Sequence, residues 1–447
     1  MNSRARVQRR IPQMRRESAW FDDAKLGLMY TWGLYSVPAW APTDPRQLEE
    51  VAGGTPGSTG PWGHMSPLAT TSYAEWYQNS MSLIGSPTWF YHQAQWAGRS
   101  YESFRNEFEA GLETVDLSGW TELACAAGAK YIVPLAKHHD GYLLYPSQVP
   151  SPYRDGFHTP RDVIGDLAEL ARAAGLRYGV YYSGGLDWTC CRTPGGARED
   201  LVTDRDAPRD VRRPPLTEQY WPEPYARLAH AHLREIIDRY QPSILWNDIG
   251  YPDAGDAPDI IAHLRATVPD AVINDRIQHP DHDFESPEYD ATYQSDRKWE
   301  LCRGLGMSFG YNMNESEEHI LSGRESIDLL IDVVAGGGNL IFGIGPDAHG
   351  GFSAEQQRPL RELGQWLEVN GAAIYGTAPL LDPPKIPEVR FTATETRTFA
   401  LTSRQSFEID LGFVDVQAVD PRVHARIEGT TVVVDNPTGA PTAIALT

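Results

Sequence analysis

The sequence predicts an α/β chain built as a (β/α)8-type TIM barrel followed by a small C-terminal β-sandwich. Three observations lead there: short apolar runs alternate with amphipathic helical stretches, polar residues close the clearest of those runs, and alternating turn-rich segments replace them after Tyr375.

The clearest runs cover residues 26–31, 131–136, 178–182, 244–246 and 271–273, and weaker ones cover 291–294, 307–311 and 339–344. Together they supply the eight strands of a barrel, the sixth being poorly marked. Between them, Val163, Ile164, Leu167, Leu170, Ala171 and Ala174 repeat on one face of a predicted helix over 161–174. Thr159 is its expected cap, Pro160 fits its first turn and Gly175 its stop. A second helix starts at Ser353, where Gln356 is spaced to reach back as a capping box, and runs to about residue 369. Beyond it, segments 390–401 and 430–435 alternate in polarity, with turns at Glu428-Gly429 and Asn436-Pro437. Pro383, Pro384 and Pro387 mark a linker. The division is therefore a catalytic barrel with a basic N-terminal tail over 1–377, and a β-sandwich domain over 378–447.

The chain has 447 residues, with 22% charged and 41% hydrophobic, which is ordinary for a soluble globular protein. A formal charge of −21 opposes polyanionic partners, so neither nucleic acid nor a membrane surface is expected. Basic residues gather over 4–16 without the apolar core of a secretory signal, which reads as a solvated tail on a cytoplasmic protein. Cys125, Cys190, Cys191 and Cys302 lack the paired spacing of a zinc site and read as free thiols. The oligomeric state is not encoded in any of these features.

In a barrel, chemistry gathers where strands end. The closers here are Lys137-His138-His139-Asp140, Tyr181-Tyr182-Ser183-Gly184-Gly185, Trp246-Asn247-Asp248 and Asn274-Asp275-Arg276. Asp248 stands behind an apolar strand and a Trp, with Gly250 following, as a positioned catalytic carboxylate would. A structural Asp capping the next turn is the bland alternative.

Five segments, in order, resemble glycoside hydrolase family 29, the α-L-fucosidases: WFDDAKLGLMYTWGLYSVP from Trp20, KHHDGYLLYP from Lys137, YYSGGLDW from Tyr181, LWNDIG from Leu245 and GNLIFGIGP from Gly338. The resemblance covers most of the chain, from about Trp20 to Thr377. It implies a retaining double displacement on a fucosylated oligosaccharide or glycoside, with Asp248 as nucleophile and a second carboxyl as acid/base. Some bacterial members carry that acid/base twelve residues beyond an Arg that follows Asn-Asp, which reaches Glu288 from Arg276, and Glu285 is the rival. It further implies that His138, His139 and Glu75 bind sugar hydroxyls, that the Trp76 indole lines the pocket, and that Tyr181, Trp246 and Phe309 surround a 6-deoxy sugar with a methyl to bury. Arg276 would pair with the nucleophile or a neighbouring acid. No metal or other cofactor is implied.

The bland readings are core packing for the aromatics and for one histidine of the pair, and a surface salt bridge for Arg276. One departure stands out: Thr31 occupies the place of a His common in the family's first strand, so a sugar contact is lost, weakened or taken by water. Two other functions compete, a metal-dependent hydrolase on His138-His139-Asp140 and Asp248, and a catalytically weak carbohydrate-binding protein.

Overall fold

The structure, a computed structural model, describes residues 15–43, 71–97, 99–190, 221–409 and 415–446. The basic tail, apart from its last two residues, and Cys191 lie outside them.

Seven parallel strands form one sheet: β1 (Leu26–Tyr30), β2 (Tyr131–Lys137), β3 (Arg177–Ser183), β4 (Ile244–Asp248), β5 (Val272–Ile273), β6 (Glu300–Gly304) and β7 (Asn339–Ile344), in the order β5-β4-β3-β2-β1-β7-β6. Their residues split by twos into two cores, as side chains alternate across a strand. Met29, Val133, Tyr181, Trp246, Val272, Cys302 and Ile341, one from each strand, meet in a single inner cluster. A flat sheet could not bring them together, so the sheet is curled. The intervening residues, among them Leu28, Ile132, Val180, Leu245, Leu301 and Phe342, join the larger outer core under the helices.

One such helix, Val163–Ala173, buries Val163, Ile164, Leu167, Ala168 and Ala171. Cutting Leu167 back to Ala would cost about 2–5 kcal/mol. Its cap is Asp162, whose carboxylate accepts from Gly165 N, and not Thr159, whose hydroxyl donates instead to the Arg161 carbonyl. The helix therefore begins two residues later than expected, and Gly175 follows its end with a φ of +74°. Ser353 does cap the helix Ala354–Asn370, but Gln356 Oε1 is buried without a partner and no reciprocal bond forms.

The strand count needs correction. Residues 291–294 form a turn, because Asp290 accepts from the backbone N and hydroxyl of Thr292. Residues 307–311 form a loop tied to Glu75 through Ser308 and Gly310. The sixth strand is Glu300–Gly304, hidden in the sequence because its inward-facing position carries the buried Glu300. Between the edges β5 and β6 runs the segment 283–289. On one side Asp283 N donates to Ile273 O and Asp275 N to Phe284 O. On the other, Glu285 N donates to Lys298 O, Glu300 N to Glu285 O, Cys302 N to Pro287 O and Tyr289 N to Cys302 O.

Residues 378–446 carry antiparallel strands in two sheets. The first, ordered β12-β15-β10-β9-β8, comprises β8 (Ala378–Pro379), β9 (Val389–Ala393), β10 (Thr398–Thr402), β12 (Val416–Ala418) and β15 (Thr442–Leu446); the second, β11-β14-β13, comprises β11 (Ser406–Glu408), β13 (His424–Glu428) and β14 (Thr431–Asp435). Phe391, Ala400, Phe407, Val432 and Ile444 meet between them. The first sheet is fixed to helix Ala354–Asn370 by Trp366 Nε1 donating to Pro441 O and Ala443 N donating to Asn370 Oδ1.

Candidate active site

The C-terminal ends of the parallel strands open on a cavity of about 190 Å³. Eleven residues singled out from the sequence line it: Thr31, Glu75, Trp76, His138, His139, Tyr181, Trp246, Asp248, Arg276, Glu288 and Phe309. Glu285 does not, and its Oε2 accepts instead from Tyr293.

Asp248 is the last residue of β4 and pairs in register with Ser183 of β3. Its Oδ2 accepts from the Tyr181 hydroxyl at 2.6 Å, and Oδ1 accepts from Arg276 Nη1 at 2.7 Å and Ile249 N at 2.9 Å. Burial and the Asp248 charge hold the Tyr181 phenol well above the usual tyrosine range, so it remains a donor. Beneath them, Trp246 stacks on Tyr181 and donates through Nε1 to Glu300 Oε1 at 3.0 Å.

The other arm of Arg276 reaches Glu288: Nη2 lies 3.1 Å from Oε2. One guanidinium thus bridges two carboxylates. Burial works against its charge, but Asp248 and Glu288 outweigh that and hold it ionised, above the usual arginine range. Ser286 steadies it by accepting from Nε and, through its carbonyl, from Nη2. The guanidinium also lies over the Trp246 ring, 4.7 Å from its centre. The residue after each carboxylate, Ile249 (φ +55°) or Tyr289 (φ +58°), has a left-handed backbone without being glycine. Such strain persists where surrounding bonds over-determine it, and it gathers at active sites.

His138 and His139 follow the end of β2, past a register shift between Leu135 and Lys137. Strand alternation lapses there, and both rings reach the cavity with centroids 3.9 Å apart. The Ser183 hydroxyl donates to Leu186 O at 2.6 Å, so it accepts from His139 Nδ1 at 2.7 Å. Burial keeps both rings far below the usual histidine range and therefore neutral. His139 Nε2 is thus a bare acceptor, and its 4.0 Å contact with Asp248 Oδ2 is not an ion pair. Behind the pair, Lys137 and Asp187 form a buried salt bridge at 2.8 Å.

Asp140 does not join this cluster. Its oxygens accept from the Tyr101 hydroxyl and Tyr142 N, and burial pushes its carboxyl up to about 7. Among the described residues, no group of three or more His, Cys, Asp and Glu is disposed to hold a metal ion.

Glu75 is the middle residue of the short 3-10 turn Ala74–Trp76. Ser308 Oγ and Gly310 N both donate to its Oε2, and burial pushes the carboxyl up to about 7. Trp76 packs edge-on against His139 and Trp188. Phe309 lies against β7 at Gly343, where a Cβ would run into its ring. The Thr31 hydroxyl is buried without a hydrogen-bond partner.

The cavity also takes in Met29, Tyr73, Leu135, Ile249 and Cys302, which the sequence reading missed. Counting by twos along each strand finds Met29 beside Thr31, and Leu135 from Tyr131. Cys302 was lost with its misread strand. No sequence pattern marks Tyr73, which is brought in by the turn that carries Glu75. Met29, Leu135, Cys302 and Phe309 join Tyr181 and Trp246 as an apolar wall facing the polar groups.

A family model described as Alpha-L-fucosidase matches residues 3–372. The tissue alpha-L-fucosidase of Rattus norvegicus is 29% identical over 374 residues, covering 80% of this chain and 70% of its own. The alpha-L-fucosidase of Dictyostelium discoideum is 28% identical over 377 residues, covering 80% and 72%. Among solved structures, the Thermotoga maritima alpha-fucosidase superposes with a TM-score of 0.77 at 34% identity, covering 96% of each chain. The same enzyme in complex with fucose gives 0.76 at 33%.

Proposed function

The chain belongs to the α-L-fucosidase family, and from that premise we propose that its cavity removes a terminal α-L-fucosyl residue from a glycoside or oligosaccharide by a retaining double displacement. Asp248 attacks the anomeric carbon while Glu288 gives a proton to the leaving oxygen. Glu288 then takes a proton from water, which displaces Asp248 from the fucosyl-enzyme. The single observation that carries this reading is Arg276 bridging both carboxylates. One guanidinium in contact with both carboxylates holds them near each other, which is compatible with the roughly 5–5.5 Å spacing of retaining pairs.

Sugar recognition follows from the two walls. Glu75 and the bare His139 Nε2 accept from hydroxyls, His138 and Trp76 flank them, and the aromatic wall with Met29 takes the 6-methyl group. Arg276 holds Asp248 in place for attack through Nη1 at 2.7 Å. A nucleophile, an acid and a cation arranged in this way go beyond what a binding protein needs.

The segment 283–289 supports the reading of a closed barrel. It bonds to β5 on one side and β6 on the other, in parallel bridges at Phe284, Glu285 and Glu288. We infer that it is the eighth stave, with Glu288 at its upper end. We likewise propose that 378–447 is a β-sandwich domain joined near residue 377.

The test is the anomer released first from an aryl α-L-fucoside, followed by ¹H NMR. Retention predicts α-L-fucose before mutarotation, and β-L-fucose first would overturn the double displacement.

A further inference from the structure

We propose that Tyr73 is a positioning residue that governs the proton on Glu288, its hydroxyl donating to Oε1 of the carboxylate and turning to accept when Oε1 carries the proton. The inference rests on Glu288 being the acid/base.

The two oxygens of Glu288 have unlike neighbours. Oε2 lies 3.1 Å from Arg276 Nη2, and Oε1 lies 3.0 Å from the Tyr73 hydroxyl. A guanidinium only donates, so Oε2 cannot hold a proton towards it, whereas a phenol both donates and accepts. The acid form therefore carries its proton on Oε1, beside Tyr73. Burial, followed by the Glu288 charge, keeps the Tyr73 phenol above the usual tyrosine range. The switch is thus a rotation of its O–H and not an ionisation.

The ring is held for this task. It packs edge-on to Phe309 at 5.6 Å and is stacked on Tyr289 at 6.4 Å, and its carbonyl accepts from Trp76 N in the turn that delivers Glu75. The other titratable or charged groups facing Glu288 are Asp248 across the guanidinium, Glu75, the Cys302 thiol and the Tyr289 phenol beneath Arg303.

In the first step the Oε1–H swings from Tyr73 to the glycosidic oxygen, the Oε1–H bond breaks and its proton passes to that oxygen, which keeps the electron pair of the bond it loses to the anomeric carbon. The Tyr73 hydroxyl then turns to donate to the new carboxylate. In the second step water gives Oε1 a proton as its oxygen bonds the anomeric carbon and Asp248 departs. The hydroxyl turns back.

Tyr73→Phe keeps the ring packing and removes only the switch. Its kcat/KM should be measured with aryl α-L-fucosides of good and poor leaving groups from about pH 4 to about pH 9, with the basic limb expected to move up by roughly half to one pH unit, because the charge-assisted bond lost from the ionised carboxyl is stronger than the neutral one lost from the acid. Poor leaving groups should lose about tenfold, and activated ones less. Equal losses for every leaving group with an unmoved profile would reduce Tyr73 to packing and overturn the proposal. Glu288→Ala in the same series separates the failures. Leaving-group dependence there but not in Tyr73→Phe overturns the Tyr73 role alone, and its absence from Glu288→Ala overturns the acid/base reading beneath it.

Discussion

Asp248 and Glu288 share one guanidinium but are carried by different backbone. Asp248 ends a strand whose sheet neighbours on both sides are strands, over the Trp246–Glu300 contact, with its side chain 10% exposed. Glu288 sits at the end of the irregular segment 283–289, oriented by Tyr73 and Arg276, with its side chain 32% exposed. The difference fits the roles proposed for them. A nucleophile needs one line of attack, which a sheet supplies, whereas an acid/base must meet a leaving group and then water, which requires a place near the mouth and side-chain bonds that can change.

The largest expected effect is on the rigid side. Asp248→Ala should lose roughly 10⁴-fold or more in kcat with folding intact, since no other group is placed to form the covalent intermediate. Activity within tenfold of wild type would remove the asymmetry altogether.

On the adaptable side, Glu288→Ala should slow poor leaving groups on the order of 10²-fold while activated aryl fucosides suffer far less. Added azide should restore turnover and give an α-fucosyl azide, because a small anion that needs no base attacks the β-linked intermediate and displaces Asp248 with a second inversion. Rescue in Glu285→Ala in place of Glu288→Ala would transfer the role to Glu285.

The same contrast governs what the sequence made legible. Asp248 could be found from an apolar run ending in Trp-Asn-Asp, because a strand registers its end in the pattern. Nothing in the pattern of 283–289 announces a backbone that bonds two strands, and Glu288 was reached only through the family spacing from Arg276. Strand β6 escaped for a related reason. Glu300 faces inward, where Trp246 Nε1 and the Tyr131 hydroxyl satisfy its carboxyl, so a buried charge made a core strand look like a loop. Thr159 was credited with a cap that Asp162 provides, as both are good caps three residues apart.

The bed under Asp248 offers a stability test. Burial pushes the Glu300 carboxyl up to about 7, although Tyr131 and Trp246 donate to it. Its folded pKa is raised, so the stability it contributes is full below about pH 4 and is lost as pH rises through about 7. Glu300→Gln should therefore gain on wild type with rising pH, by on the order of 2 kcal/mol between about pH 5 and about pH 8. Thermal midpoints of both proteins across that range provide the check. A constant difference would mean that burial does not raise the Glu300 pKa above its unfolded value.

Thr31→His should have the smallest effect, since one hydrogen bond is worth roughly 0.5–1.5 kcal/mol. A change in kcat/KM of up to about tenfold is expected. An unchanged kcat/KM would show that residue 31 does not contact the sugar, and a much larger loss would mean that the pocket has packed around Thr.

The most direct test of the account is to trap the fucosyl-enzyme with a 2-deoxy-2-fluoro-fucosyl donor bearing a good leaving group and to locate the label by peptide mass spectrometry. The account predicts stoichiometric inactivation with the sugar ester-linked to Asp248. A label on another residue, or turnover without any covalent species, would contradict it.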